Sequence, residues 1–133
     1  MGFTMSMNRN LRSLIEGLNR DNLKRSDLQS VDLQGADLKY AEMSKADMEG
    51  AILNGATLRG AGFSGADLTG ADFTGAILKN ASLDGANLRN AYFTVAKLGG
   101  ASFEDADLTN ADFSKAKNLD KAIWPKGYNL VKD

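Results

Sequence analysis

Residues 66–85 read ADLTG ADFTG AILKN ASLDG, four blocks of five residues that each begin with Ala and carry Leu or Phe at the third position. The same spacing runs without a gap from Asp21 to Lys115, which makes nineteen blocks. The third residue of every block is Leu, Met or Phe, and the fifth is most often Gly. A stretch this regular indicates a repeat protein in which one small unit is copied along the chain.

An apolar period of five residues fits neither the α-helix, with about 3.6 residues per turn, nor the flat β-strand, with about two. The period is satisfied if each block forms one side of a coil and the chain bends between blocks. The large third residue then points to the axis, the first-position Ala packs beside it, and the other three positions face water. Gly at the fifth position, as at Gly85, suits a turn with a positive φ angle.

The blocks follow the pattern A(D/N)LXX, seen at residues 36–40, 66–70, 86–90 and 106–110. This pattern resembles the pentapeptide-repeat family, including its small cyanobacterial members. The resemblance implies an all-β solenoid, a right-handed quadrilateral parallel β-helix with four pentapeptides per coil, so that nineteen blocks make about five coils. Coils stack like parallel strands about 4.8 Å apart, which predicts a rod about 25 Å long.

The chain is divided into three predicted parts. Residues 1–20 carry Leu and Ile at helical spacing and are expected to form a short N-terminal α-helical cap. Residues 21–117 form the pentapeptide-repeat β-helix, and residues 118–133 form a C-terminal cap or tail. Apolar side chains of this tail, among them Trp124 and Tyr128, either close the last coil or join two molecules end to end. We expect a monomer, with the end-to-end dimer through the tail as the alternative.

Composition excludes several chemistries. The chain has no Cys and no His, which removes thiolate nucleophiles, the usual zinc ligands and the side chain best suited to proton transfer near neutral pH. Gly60, Gly62 and Gly65 spell a dinucleotide-binding fingerprint, but they fall inside the five-residue register and no helical pattern follows them. We therefore predict no catalytic residue, no cofactor and no metal site.

The first twenty residues contain no apolar run long enough for a signal peptide, and no later stretch is long enough to span a membrane. The expected location is therefore the cytoplasm, without membrane contact. The net charge of −1 argues neither for nucleic-acid binding nor for an acidic mimic, and we expect no nucleic acid as a partner. The expected partner is a protein, whose identity the pattern does not indicate.

Side chains twenty residues apart should align in columns on the rod. One column of second positions forms a candidate acidic stripe, Asp27, Asp47, Asp67 and Asp107. The stripe either imitates a line of phosphates or serves local turn hydrogen bonds, for which Asp is well suited. A neighbouring face is predicted to be basic, with Lys39, Arg59, Lys79, Lys97 and Lys117.

A candidate apolar surface patch consists of Ile77, Tyr92 and Val95, which occupy positions that are usually polar in the repeat. Tyr92 and Val95 share one block, and Ile77 is expected one coil earlier on the next face. Because scattered apolar residues are common on protein surfaces, the patch is either a binding site or ordinary surface.

Three functions follow from these patterns. The first is a non-enzymatic protein-interaction or spacer module. The alternative is a DNA-mimic binder of DNA gyrase, because the resemblance extends to quinolone-resistance members of the family; residues 21–115 carry 14 acidic and nine basic residues, so the likeness in charge is weak. The second alternative, a β-helix enzyme, is disfavoured because an unbroken period leaves no long loops to build a groove.

Overall fold

The structure, a computed structural model, describes residues 23–130. In this range the chain winds as a solenoid held by isolated parallel β-bridges. The second residue of each block pairs with the residue twenty positions further on, from Asp27 with Asp47 to Lys97 with Lys117. Four blocks therefore complete one coil. The total of about five coils includes residues outside the described range and stays a prediction.

Two sets of backbone hydrogen bonds hold the blocks that have a coil on either side. Between coils, the N–H groups of second, third and fifth positions donate to carbonyl oxygens of adjacent coils, as Phe93 donates to Asp112 at 2.7 Å. At each corner, the first-position N–H donates to the third-position carbonyl of the preceding block, as Ala96 donates to Phe93 at 3.0 Å. In the described repeats, the fourth-position N–H belongs to neither set.

Every third-position side chain from Leu23 to Phe113 is buried, which confirms the sequence prediction. The first-position residues beside them are buried from Val31 to Ala101 and partly exposed from Ala106 onward. The core is one continuous cylinder that becomes more accessible toward the last coil.

The phenylalanines of the core form the ladders that the period of twenty predicts. The rings of Phe73 and Phe93 stack with centroids 4.8 Å apart and planes 3° apart, and Phe93 and Phe113 repeat this arrangement at 4.8 Å and 8°. Phe103, from the ladder that also holds Phe63, meets Phe93 edge-on at 5.5 Å. The stacking distance equals the spacing of neighbouring strands, so each ring lies directly over the one below.

Each fifth-position residue of the described repeats has a positive φ, as the turn pattern predicted. Gly85, with φ 68°, adopts this conformation without steric cost. Val95 adopts it as well, with φ 53°, although a β-branched side chain is strained there. Ten fifth positions of the described repeats hold residues other than Gly, and Val95 is the β-branched one among them.

The register shifts by one residue at Asn118. This residue has the left-handed conformation, with φ 61°, and precedes a short 3-10 helix at Leu119–Lys121. The next bridge joins Ser102 to Ile123 and thus spans twenty-one residues instead of twenty. The shift falls where the predicted C-terminal tail begins.

After this shift, Trp124 takes the third position of a block and covers the last coil. Its ring stacks on Phe103 with centroids 5.0 Å apart and meets Phe113 edge-on at 5.1 Å. Its Nε1 donates to the carbonyl oxygen of Leu119 at 3.1 Å, and Tyr128 stacks on it with centroids 5.6 Å apart. The described part of the tail therefore packs on its own coil, while the association state stays a prediction.

The predicted N-terminal α-helical cap, residues 1–20, lies outside the described residues. The boundaries of the three predicted parts therefore stay predictions. Between residues 23 and 130, no helix has the length and apolar character needed to cross a membrane.

We expect Phe93→Ala to lower the free energy of unfolding by about 3–5 kcal/mol, because it removes the central ring of a ladder and leaves a cavity. Urea denaturation measures the change. Tyr92→Ala is the matched control, since Tyr92 precedes Phe93 but points outward, and should change stability by less than about 1 kcal/mol. Equal effects of the two substitutions would contradict the assignment of inner and outer positions.

We expect Trp124→Ala to convert a monomeric protein into one that associates, because the apolar end of the last coil and its strand groups become accessible to another chain. Sedimentation velocity of the two proteins at matched concentration measures this. Ile123→Ser, at the exposed neighbouring position, is the control and should leave the protein monomeric. An intact protein that sediments as a dimer, and becomes a monomer with Trp124→Ala, would show that the tail is an interface.

Candidate functional site

Four outer faces surround the core, and the bridge columns identify them. The acidic face holds the blocks that begin at residues 26, 46, 66, 86 and 106. The face that carries Tyr92 and Val95, termed the apolar face although Asp32, Asp72 and Asp112 also lie on it, holds the blocks at 31, 51, 71, 91 and 111. The basic face holds the blocks at 36, 56, 76, 96 and 116, and the remaining blocks form the fourth face.

The acidic and basic faces lie on opposite sides of the solenoid. Their blocks begin ten residues apart, and a complete coil takes twenty residues. The prediction that the basic residues occupy a neighbouring face is therefore wrong. Two corners and the whole apolar face separate the two charged surfaces, so the molecule carries a charge dipole across its short axis.

The structure brings the residues of the acidic stripe into one column. Bridges connect Asp27 to Asp47, Asp47 to Asp67, and Asn87 to both Asp67 and Asp107. Each of these carboxylates also accepts a hydrogen bond from the N–H group two residues later, at distances between 3.1 and 3.4 Å. The stripe thus serves the local turns, which was one of its two predicted roles.

Asp107 accepts hydrogen bonds from two residues, Thr109 and Arg89. The Thr109 hydroxyl donates to its carboxylate at 2.6 Å and holds the pKa of Asp107 below the ordinary value. The N–H of Thr109 and the guanidinium of Arg89, 3.4 Å away, lower this pKa further, while burial raises it. Arg89 partly neutralises this end of the stripe.

The predicted apolar patch is only partly assembled. Tyr92 and Val95 stand in one block of the apolar face, with 49% and 39% of their surface exposed. Ile77 lies around the corner on the basic face, half-buried, in the column below Lys97. Tyr92 and Val95 therefore form the exposed part of the candidate patch.

The fourth-position N–H of a block donates to no backbone carbonyl, and in many blocks a side-chain oxygen at the second position accepts its hydrogen bond. Asp72 accepts from the N–H of Thr74 at 2.9 Å, and Asn87 accepts from the N–H of Arg89 at 3.2 Å. This is the short side-chain-to-backbone bond for which Asp, Asn and Ser are favoured in turns. It explains why Asp is so frequent at this position of the repeat.

The basic face lacks this hydrogen bond in three consecutive coils. Its second positions after Asp37 hold Thr57, Ile77 and Lys97. None of them accepts from the fourth position, so the N–H groups of Arg59, Lys79 and Gly99 have no acceptor between residues 23 and 130. Sequence reasoning missed these donors, although the missing Asp, Asn or Ser in the column was a readable signal.

A depression of about 500 Å³ opens on the basic face where Gly99 interrupts the fourth-position column of Lys39, Arg59 and Lys79. Gly99 and Gly100 occupy the fourth and fifth positions of this coil, and the side chains of Asn118 and Asn80, which also line the depression, pack against them from the coils above and below. Lys79, Lys97 and Lys121 line the depression from three successive coils. The site therefore combines positive charge with an accessible backbone.

In the part of the chain that the structure describes, no three acidic, His or Cys side chains are grouped so that they would hold a metal ion. The expected lack of a cofactor and of catalytic residues stays a prediction.

A family model and a solved structure identify the same protein family. A family model of pentapeptide repeats, in eight copies, matches residues 22–55, 51–90 and 86–117. A solved pentapeptide repeat protein from the thylakoid lumen of Arabidopsis thaliana is 33% identical over 72% of this chain and 69% of that chain, with a TM-score of 0.59. No curated protein matches at a significant level.

Two further solved structures are more distant in shape. A pentapeptide repeat protein from the cyanobacterium Cyanothece 51142 is 31% identical over 76% of this chain and 62% of that chain, with a TM-score of 0.38. A plasmid-mediated fluoroquinolone resistance protein is 15% identical over 71% of this chain and 61% of that chain, also with a TM-score of 0.38. With TM-scores this low, neither similarity says anything about function.

The family match and the Arabidopsis structure establish the hand of the winding, so the parallel solenoid is a right-handed β-helix. The chain belongs to the family of pentapeptide repeat proteins.

Proposed function

We propose that the protein is a non-enzymatic interaction or spacer module that binds a protein partner through Tyr92 and Val95. The observation that supports this proposal is the conformation of Val95. It combines a β-branched side chain with a φ of 53° and with 39% exposure to solvent.

A backbone conformation of this kind costs about 1–3 kcal/mol for an unsuited residue. The two corners directly below Val95 in its column hold Gly55 and Gly75, which adopt the same φ without that cost. Nothing in the core explains the valine, because its side chain points outward. Strained residues persist where function needs them, and Tyr92 beside it is of the type enriched in interfaces.

The non-enzymatic part of the proposal is supported by the hydrogen bonds that the carboxylates form within the turns. Asp67, Asp72 and Asp112 each hold the N–H and hydroxyl of a residue two positions later, instead of converging on a common cleft. The coils between residues 23 and 117 contain no insertion that would build the walls of such a cleft. A rod of about five coils, about 25 Å long, suits a spacer or a binding surface.

A cytoplasmic location and the lack of membrane and nucleic-acid partners stay predictions. The thylakoid-lumen origin of the Arabidopsis protein is a property of that protein.

We expect Val95→Asn to raise the free energy of unfolding by about 1 kcal/mol, because Asn tolerates the positive φ, and at the same time to abolish capture of a protein partner. Denaturation curves and quantitative affinity capture from the source cells measure the two effects. Lys45→Asn is the matched control, since Lys45 is an exposed fifth-position residue with φ 60° on the fourth face. It should leave capture unchanged. A stabilised Val95→Asn protein with unchanged capture would reject this binding surface.

A DNA-mimic binder of gyrase is the second candidate function. The alignment of Asp27, Asp47 and Asp67 in one column favours it, because three carboxylates then follow each other about 4.8 Å apart. The turn hydrogen bonds of these carboxylates and the basic character of the opposite face argue against it.

We expect no inhibition of gyrase supercoiling at submicromolar protein, because the basic face would be repelled by a surface that binds phosphates. A gel assay of plasmid supercoiling measures this. If inhibition is seen, the double variant Asp47→Asn/Asp67→Asn becomes the decisive control. Loss of inhibition in that variant would make the acidic stripe the functional site and overturn the ranking of the two candidates.

A further inference from the structure

The basic face presents positive charges and hydrogen-bond donors that the described chain does not satisfy. Lys79, Lys97 and Lys121 form no ion pair with residues 23–130. The N–H of Gly99, between them, has no acceptor in the same range. We propose that the depression around Gly99 binds the phosphate group of a small phosphorylated ligand.

The three lysines approach the depression from different sides. Lys79 occupies the fourth position one coil below Gly99, and Lys97 stands two residues before Gly99 in the same coil. Lys121 lies one coil above, where its carbonyl oxygen accepts from the N–H of Gly100 at 3.0 Å. An anion over Gly99 would therefore be within reach of ammonium groups from three coils, which suits a dianionic phosphate better than a single carboxylate.

The N–H of Gly99 shows where a ligand oxygen fits. In a capped corner, a carboxylate oxygen lies close to the fourth-position N–H, as Asp72 Oδ1 lies 2.9 Å from Thr74 N. Lys97 holds the second position of the Gly99 corner and offers no oxygen. A phosphate oxygen would take the place of the missing carboxylate, and exposed backbone N–H groups beside lysines are the donors that anion sites use.

Gly99 adds no side chain of its own to the depression, whereas the fourth positions of the coils below carry Arg59 and Lys79. The space beside Gly99 is bounded by the side chain of Asn118, which lies 3.6 Å from the position that a Cβ atom would take. Other fourth-position N–H groups without an acceptor occur at Ser44, Asn54, Ser64 and Thr94, but the basic depression does not include them. Only at Gly99, within the described residues, do the free donor, the depression and the three lysines coincide.

The size of the depression indicates more than inorganic phosphate alone. About 500 Å³ exceeds what one phosphate fills, and half-buried Ile77 supplies an apolar wall. A ligand with a phosphate at Gly99 and a further phosphate or an organic part fits this arrangement. An extended nucleic-acid strand fits less well, because at the other end of the column Lys39 is already paired with Asp37 at 3.6 Å.

The test uses full-length protein and inorganic tripolyphosphate as the probe, with binding followed by calorimetry and by the NMR shift of the Gly99 amide. We expect saturable one-to-one binding and a shift at Gly99. Lys97→Asn and Lys97→Gln remove the same charge and add the same amide, but only Asn has the length that caps the fourth-position N–H, as Asn87 does for Arg89. Lys97→Asn should therefore bind about tenfold more weakly than Lys97→Gln, the factor expected for one hydrogen bond to a charged group.

Lys45→Gln, on the fourth face, is the charge-matched control and should bind like the unmodified protein. Thermal melts of all three variants establish that they are folded, as expected for exposed positions. Lack of saturable binding, equal binding by Lys97→Asn and Lys97→Gln, or an equal loss with Lys45→Gln would overturn the proposal. So would binding of vesicles with phosphatidic acid, or of a single-stranded oligonucleotide, without binding of tripolyphosphate.

Discussion

The structure depends on the stacking of each coil directly over the one before, at the spacing of parallel strands. The bridges repeat every twenty residues, and the rings of Phe73, Phe93 and Phe113 repeat at 4.8 Å because the backbone does. Side chains therefore interact mainly with their equivalents in neighbouring coils. Because of the same constraint, equivalent outer positions of successive coils form columns. Residues that are neighbours in a column on the surface therefore lie twenty positions apart in the repeat sequence.

The period of five made the inner half of this structure predictable. A third-position residue can only face the axis and a fifth-position residue can only bend the chain, so burial and positive φ followed from spacing alone. The predicted order of the faces is wrong, because two corners lie between the blocks that begin at Ser26 and Ala36 and place these blocks on opposite sides of the coil. The place of Trp124 in a core ladder depended on the one-residue shift at Asn118, whose geometry the sequence does not reveal.

The candidate surfaces were less predictable than the core because their properties depend on which backbone N–H groups have a hydrogen-bond acceptor. The sequence is sufficient to align the four carboxylates of the acidic stripe, Asp27, Asp47, Asp67 and Asp107. The hydrogen bonds that they accept from N–H groups of the turns are seen only in the structure. The unsatisfied donors of the basic face were overlooked for the same reason. A lysine stripe is visible in the sequence, whereas a missing acceptor is visible only when every donor is assigned.

The second position of the repeat therefore has a dual use. Where it holds Asp, Asn or Ser, a side-chain oxygen closes the corner, and the face presents a satisfied backbone. Where it holds Thr57, Ile77 or Lys97, the corner keeps its fold through the two backbone sets, and an N–H donor remains available. Since the coil does not need the cap, a surface of this kind acquires binding capacity by omitting a residue, with no insertion and no change in the path of the chain. The basic face combines such omissions with lysines and with Gly99, which makes it the part of the rod best prepared to hold an anion.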